Sequence, residues 1–320
     1  MTPSSSPVHH SRWSAALVLV AGILCVAWSA IFVSWAGVSG PASAFYRTLI
    51  ATAVLLPWWL ARRPRAPLPS RDVLFAALGG AFFALDLVLY NSAILLTSAS
   101  TATLLGSNAP IAVGFGAWLV FGERPRPAFS IGLALALLGS AIIVGDDALA
   151  SATFAGAARW GDAMAIGSGA FFAAYLLTTQ RVRTRMDTLT FTTLAVAAST
   201  LTLFLVCIAT RVPLAGYSPR AWLCLAGLGV ISQVGGYLAI SYALGSLPAT
   251  AISVGLLAQA PLTALLAVPF LGEPITRAQA VGGALVLVGI YVVNRRTSAA
   301  RDAAAEVAAA TDAAAEATTP

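Results

Sequence analysis

The sequence predicts an all-α integral membrane protein of ten transmembrane helices, arranged as two inverted five-helix repeats with both termini in the cytoplasm. Three observations lead there. The chain has 320 residues, 59% of them hydrophobic and 9% charged, with mean hydropathy +0.86. A soluble domain carries about 25% charged residues, so this chain lacks the polar surface to face water on all sides. Second, ten apolar stretches follow one another, each near the ~20 residues that cross a bilayer as a helix. Third, the second five stretches echo the first five at an offset of 150. Between Gly122 and Gly139 on one side and Gly272 and Gly289 on the other, eight of eighteen positions are identical. An odd number of spans per copy inserts the second copy upside down.

The elements follow in order. Residues 1–12 are polar and read as a disordered cytoplasmic N-terminus. Span one, 13–35, is too long for a signal-peptide core and lacks a clear cleavage site, so it reads as a retained helix. Span two, 43–61, carries Arg47 near its outer end and closes on Trp58-Trp59. Span three, 73–95, contains Asp86, the one acid in the middle of an apolar span. Span four, 98–121, contains Pro110, and span five is 128–145. Together 13–145 form the first repeat. A loop, 146–159, with Asp146-Asp147 divides it from the second repeat, 160–294. That repeat holds spans 160–180, 190–210, 221–244, 248–271 (with Pro261) and 277–294. The Ala- and Glu-rich tail, 295–320, reads as a disordered or marginally helical cytoplasmic extension. Trp13, Trp58, Trp59, Trp160 and Trp222 lie near span ends, where indoles anchor at the interface.

The net charge of +6 comes with 18 arginines and no lysine, most of them in short loops. With the N-terminus inside, 13 arginines fall on the cytoplasmic side and four, Arg159, Arg211, Arg220 and Arg277, outside. This asymmetry fixes orientation and is no nucleic-acid signal. Cys25, Cys207 and Cys224 all lie in apolar spans and read as small apolar fillers. The histidines, His9 and His10, precede the first span, so no span supplies a haem ligand or a Ser–His pair. A phosphate loop needs a lysine the chain does not have. Nothing points to an enzyme, a cofactor or a metal, and no catalytic residue is assigned.

Several residues are candidates for solute contact. A carboxylate at mid-bilayer costs at least ~2.5–3.5 kcal/mol on insertion scales and normally faces the bundle interior. Asp86, with Tyr90 one turn on, could meet a substrate ammonium or carry a proton; the blander account is a static interhelical hydrogen bond. In span eight, Gln233, Tyr237 and Ser241 recur every four residues and share one helix face. They could bind a polar ligand or simply tie helices together. Pro110 and Pro261 stand at near-equivalent positions, each two residues after an amide, Asn108 and Gln259. A mid-span proline frees a carbonyl and bends the helix, which lipid tolerates where the freed group faces protein or a wet cavity. Arg47 could snorkel to the outer surface, orient a substrate carboxylate or pair with a helix end, with a structural or gating role favoured over direct binding. Trp28, Phe32, Phe171, Phe172, Tyr175, Tyr237 and Tyr242 could wall a cavity, though such rings more often face lipid or core. Glu123 and Glu273, in paired Gly-Glu steps before helix starts, read as tight turns with a capping acid.

Four features together resemble the ten-helix EamA-type branch of the drug/metabolite transporter superfamily over residues 13–294. These are the two five-helix repeats, Trp28-Ser29 in span one, Phe45-Tyr46-Arg47 opening span two, and the paired stretches Ala93–Glu123 and Ala243–Glu273, each running through a proline to Gly-Glu. The resemblance implies a secondary transporter, an exporter or permease of amino acids (aromatic ones included) or related metabolites. It would work by alternating access around a central cavity in the bacterial cytoplasmic membrane. A pore or a non-transporting sensor is the alternative. The expected partners are a small-molecule substrate and the lipid bilayer, without nucleic acid. Ten spans can enclose a cavity alone, which favours a monomer.

Overall fold

The computed structural model describes residues 12–62, 68–121, 131–132, 134–135, 137–139, 141–142, 155–183, 185–245, 247, 252–253, 255–289 and 291–292. Every regular element among them is a helix. They are α1 (Arg12–Ala36), α2 (Gly40–Ala61), α3 (Ser70–Leu96), α4 (Ala99–Gly106), α5 (Ala109–Phe121), α6 (Ala155–Arg183), α7 (Thr188–Ala209), α8 (Pro219–Leu244), α9 (Leu256–Leu271) and α10 (Arg277–Gly289). Helical residues also recur through 131–142. Five stretches among the described residues are long and apolar enough to cross a membrane: Leu17–Ala36, α2, α3, α7 and α8.

Local chemistry sets the boundaries. The Asp187 side chain caps α7 by accepting from Thr190 N, and Ser218 caps α8 by accepting from Ala221 N. Each satisfies one of the orphan amides at a helix start. Pro219 then occupies the first turn, where its missing N–H costs nothing. At the other end of α9, Gly272 closes the helix at φ 69°, a left-handed conformation that glycine adopts without strain.

Three expectations about single helices need correction. Span four is not one kinked helix: α4 ends at Gly106 and α5 begins at Ala109. The break falls at Ser107-Asn108, and Pro110 sits in the first turn of α5, where it starts a helix without bending one. Pro261 likewise lies in the first turn of α-helix after a 3-10 turn, Leu256–Ala258, which opens α9. Span eight is not uniformly α-helical, since Leu228–Tyr237 is wound as a π-helix. That winding widens the turn, so a four-residue spacing no longer keeps side chains in one vertical row.

The packing is written twice. At an offset of 150, α1 corresponds to α6, α2 to α7 and α3 to α8. α3 lies along α6, and α8 lies along α1. α3 also packs on α7, and α8 on α2. α2 and α7 face each other, with Thr52 Oγ1 and Thr200 Oγ1 3.0 Å apart. Two halves related by a two-fold would meet in this way. Small residues permit the close crossings, as in other lipid-embedded bundles. A Cβ on Gly80 of α3 would lie 2.2 Å from the Ala195 carbonyl of α7, and one on Gly229 of α8 would lie 2.7 Å from Ile50 Cβ of α2. The glycines stand one residue apart at the repeat offset, so each half uses the same device. The exposed side of the bundle carries Leu17, Leu74, Leu201 and Leu223, an apolar surface suited to lipid.

Candidate functional site

Where the halves meet, a half-open cavity of about 60 Å³ is lined by α1–α4, α6, α8 and the broken regions of α4–α5 and α9. Gly106, Ser107, Ala109 and Pro110 border it from the first break, and Leu256, Leu257 and Gln259 from the second. Irregular backbone at membrane depth survives where it is buried in protein or lines a wet cavity. Both interruptions satisfy that condition here.

Asp86, Tyr90, Tyr237, Gln259, Pro110 and Arg47 all reach this one cavity. Asp86 is 7% exposed, with Ser168 of α6 as a side-chain hydrogen-bond neighbour and the charge of Arg47 acting on it. Tyr90 pairs with Thr103 through their hydroxyls at 2.8 Å and also has Gln259 within hydrogen-bonding reach. That cluster joins α3 and α4 of one half to α9 of the other.

Arg47 departs most from its expected place. It does not snorkel: the side chain is 1% exposed and turned inward. Its Nε donates to Gln233 Oε1 at 2.6 Å and its Nη1 to Ser29 Oγ at 3.1 Å. The guanidinium lies 5.1 Å from the Tyr237 ring centroid, a cation–π contact. Its Nη2 is buried and has no hydrogen-bond partner among the described residues. Two hydrogen-bond acceptors and an aromatic ring, from α1 and α8, outweigh the pull toward the outer surface.

The other candidates are placed around the cavity. Gln233 does not line it, but holds Arg47. Tyr175 stands behind it in an aromatic group, 4.8 Å from Phe83, which is 4.6 Å from Tyr237. Ser241 is buried beside Tyr175, and its carbonyl accepts from Arg183 Nε at 2.9 Å. Asn108 lies at the α4–α5 break without lining the cavity. Trp28 packs on Phe270 of α9 at 5.0 Å, away from the lining. Of the aromatic candidates, Phe172 and Tyr237 form its wall. Sequence reasoning passed over the hydroxyls Thr103, Ser107, Ser168 and Ser253 that border it. Their one sequence signal is position beside the proline steps or on the helix equivalent to α1.

Glu273 has a cap role, though not for the helix that follows it. Its carboxylate accepts from Ala99 N at 3.1 Å, Ser100 N at 3.2 Å and Ser100 Oγ at 3.1 Å. It thus caps α4 in the opposite half. α10 has its own capping box, in which Thr276 and Gln279 bond each other's amides. Gln279 Nε2 adds a 2.7 Å bond to Thr101 Oγ1 of α4. Glu123 lies outside the described residues.

Comparison with known proteins agrees with this architecture. The profile of the EamA-like transporter family matches twice, over residues 13–145 and 159–295. The chain is 27% identical over 259 residues to "Uncharacterized transporter YwfM" of Bacillus subtilis (strain 168), covering 78% of this chain and 82% of that protein. It is 27% identical over 258 residues to an "Uncharacterized transporter" of Archaeoglobus fulgidus, covering 79% and 87%. A solved crystal structure aligns with TM-score 0.64 at 24% identity, over 88% of this chain and 99% of that one, a likeness in fold. With the family profile spanning both halves of the bundle, the chain belongs to the EamA-like transporter family and is a membrane transporter.

Proposed function

We propose that the protein is a secondary transporter of small metabolites, amino acids first among them, working by alternating access around the cavity between its halves. Ten spans with both termini in the cytoplasm, acting as a monomer in the bacterial cytoplasmic membrane, complete the reading. The observation that carries it is the cavity itself: an acid, a buried cation and two interrupted helices converge there from both halves. Interrupted helices of matching position are the usual place for a transporter to bind its solute.

A half-open cavity of about 60 Å³ suits an alanine- or serine-sized amino acid and sets no upper limit on the cargo. Asp86, across from Arg47, is the group to receive an ammonium. The test is counterflow of labelled amino acids in liposomes holding the purified protein. Saturable, competable uptake supports the carrier. Unsaturable flux indicates a pore, and no flux from folded protein overturns transport of this class.

A further inference from the structure

We infer that Arg47 is the carboxylate anchor of the substrate, so that the cavity selects small monocarboxylates; the inference rests on the transport reading of that cavity. A guanidinium offers five N–H donors in a planar fork that fits a carboxylate with two parallel bonds. Two neutral oxygens, those of Gln233 and Ser29, take up its Nε and Nη1, and Tyr237 lies against its charge. These contacts orient the fork without neutralising it. Nη2 stays buried without a partner in a residue that borders the cavity.

A buried charge left short of partners is expensive, and proteins seldom keep one without use. A strut joining α1, α2 and α8 would explain the two bonds that are made. It leaves the unpartnered Nη2 unexplained. Asp86 does not complete the fork: it makes no ion pair with Arg47 within 4 Å. Arg47 and Asp86 sense each other's charge across the cavity without contact of that kind. Nη2 is the guanidinium nitrogen left for an anion in the cavity to meet. The ammonium of a zwitterion would then face the side occupied by Asp86 and Ser168. Lysine could supply the charge but not the fork, since its ammonium is a compact point.

The test compares L-alanine, propionate and L-alaninamide by thermal stabilisation of the detergent-purified protein and by competition in counterflow. L-alanine is expected to stabilise most and propionate less. L-alaninamide, with no carboxylate, is expected to bind at least about tenfold more weakly than L-alanine, the effect of losing ~1.4 kcal/mol. Arg47→Gln should erase the preference for L-alanine over its amide, and Arg47→Lys should restore part of it. A purely structural arginine would leave that preference intact in any variant that folds. If Arg47→Gln does not fold, Arg47→Lys takes its place, with the preference for L-alanine over its amide expected to weaken. Equal binding of L-alanine and L-alaninamide, or no response to either carboxylate, overturns the anchor. Carboxylate-selective binding without counterflow keeps the anchor and sinks the transport reading. Counterflow without carboxylate selectivity does the reverse.

Discussion

Asp86 and Arg47 reach the same cavity from α3 and α2, yet they differ in how plainly the sequence announces them. Asp86 stands alone among Leu, Phe and Ala, and the cost of placing an acid in lipid forces it inward. Arg47 lies seven residues into α2, where a long side chain has two choices. Only the positions of Gln233 and Ser29, both distant in sequence, decide for the interior. The hydroxyls Ser168 and Thr103 were invisible for another reason. Serine and threonine in these helices commonly satisfy themselves on a preceding carbonyl, as Thr179 does on Tyr175 O at 2.7 Å and Ser199 on Ala195 O at 2.8 Å. Their presence in a span therefore says little about solute contact. For Asp86→Asn, counterflow should fall at least about tenfold, corresponding to ~1.4 kcal/mol. Thermal unfolding in detergent should hold or rise, because the amide removes a charge-bearing group that has no ion-pair partner within 4 Å among the described residues. Undiminished counterflow would leave Asp86 a static helix contact.

Element by element, the apolar stretches mark where the described helices lie but not their interruptions. Proline marked the right neighbourhoods, while the breaks fall before it, at Ser107-Asn108 and at Leu256–Ala258. The π-winding of α8 has no proline to advertise it and runs through Gly229, Gly235 and Gly236. Its steric setting is clear: α8 must pass α2 closely at Gly229. Gly80→Leu and Gly229→Leu should each destabilise the protein by about 1–3 kcal/mol, the usual cost of overpacking a close crossing. The measurement is thermal unfolding in detergent, and a neutral result at both sites would mean the helices can part there without loss. Glu273 makes a separate prediction. Glu273→Gln weakens a charge-assisted cap on α4 worth about 1 kcal/mol. The melting temperature should fall modestly, and further with Gln279→Ala, which removes the link from α10 to α4. No change in either variant would mean that the contact between the halves at this end is held by apolar packing alone.

For the whole molecule, the repeat was legible because one stretch kept eight identities at a fixed offset, and the paired contacts α3–α6 and α8–α1 carry that offset into space. The cavity was less legible, since it depends on how two copies tilt together, and no local pattern encodes a tilt. Orientation rests on arginine counts that favour the cytoplasm strongly in the first half and weakly in the second. Inversion makes a sharper claim than the counts do. Arg71, at the start of α3, and Arg220, at the start of α8, are nearly equivalent at the repeat offset, and both are exposed. If each repeat crosses the membrane five times, equivalent positions must face opposite sides. Single cysteines at these positions test it, with Cys25, Cys207 and Cys224 replaced by alanine. In intact cells a membrane-impermeant maleimide should label Arg220→Cys, and Arg71→Cys only after permeabilisation. The opposite result would reverse the orientation while preserving inversion. Labelling of both from one side would mean an even number of crossings between them in place of the five assumed, and the two-fold relation of the halves would no longer supply alternating access.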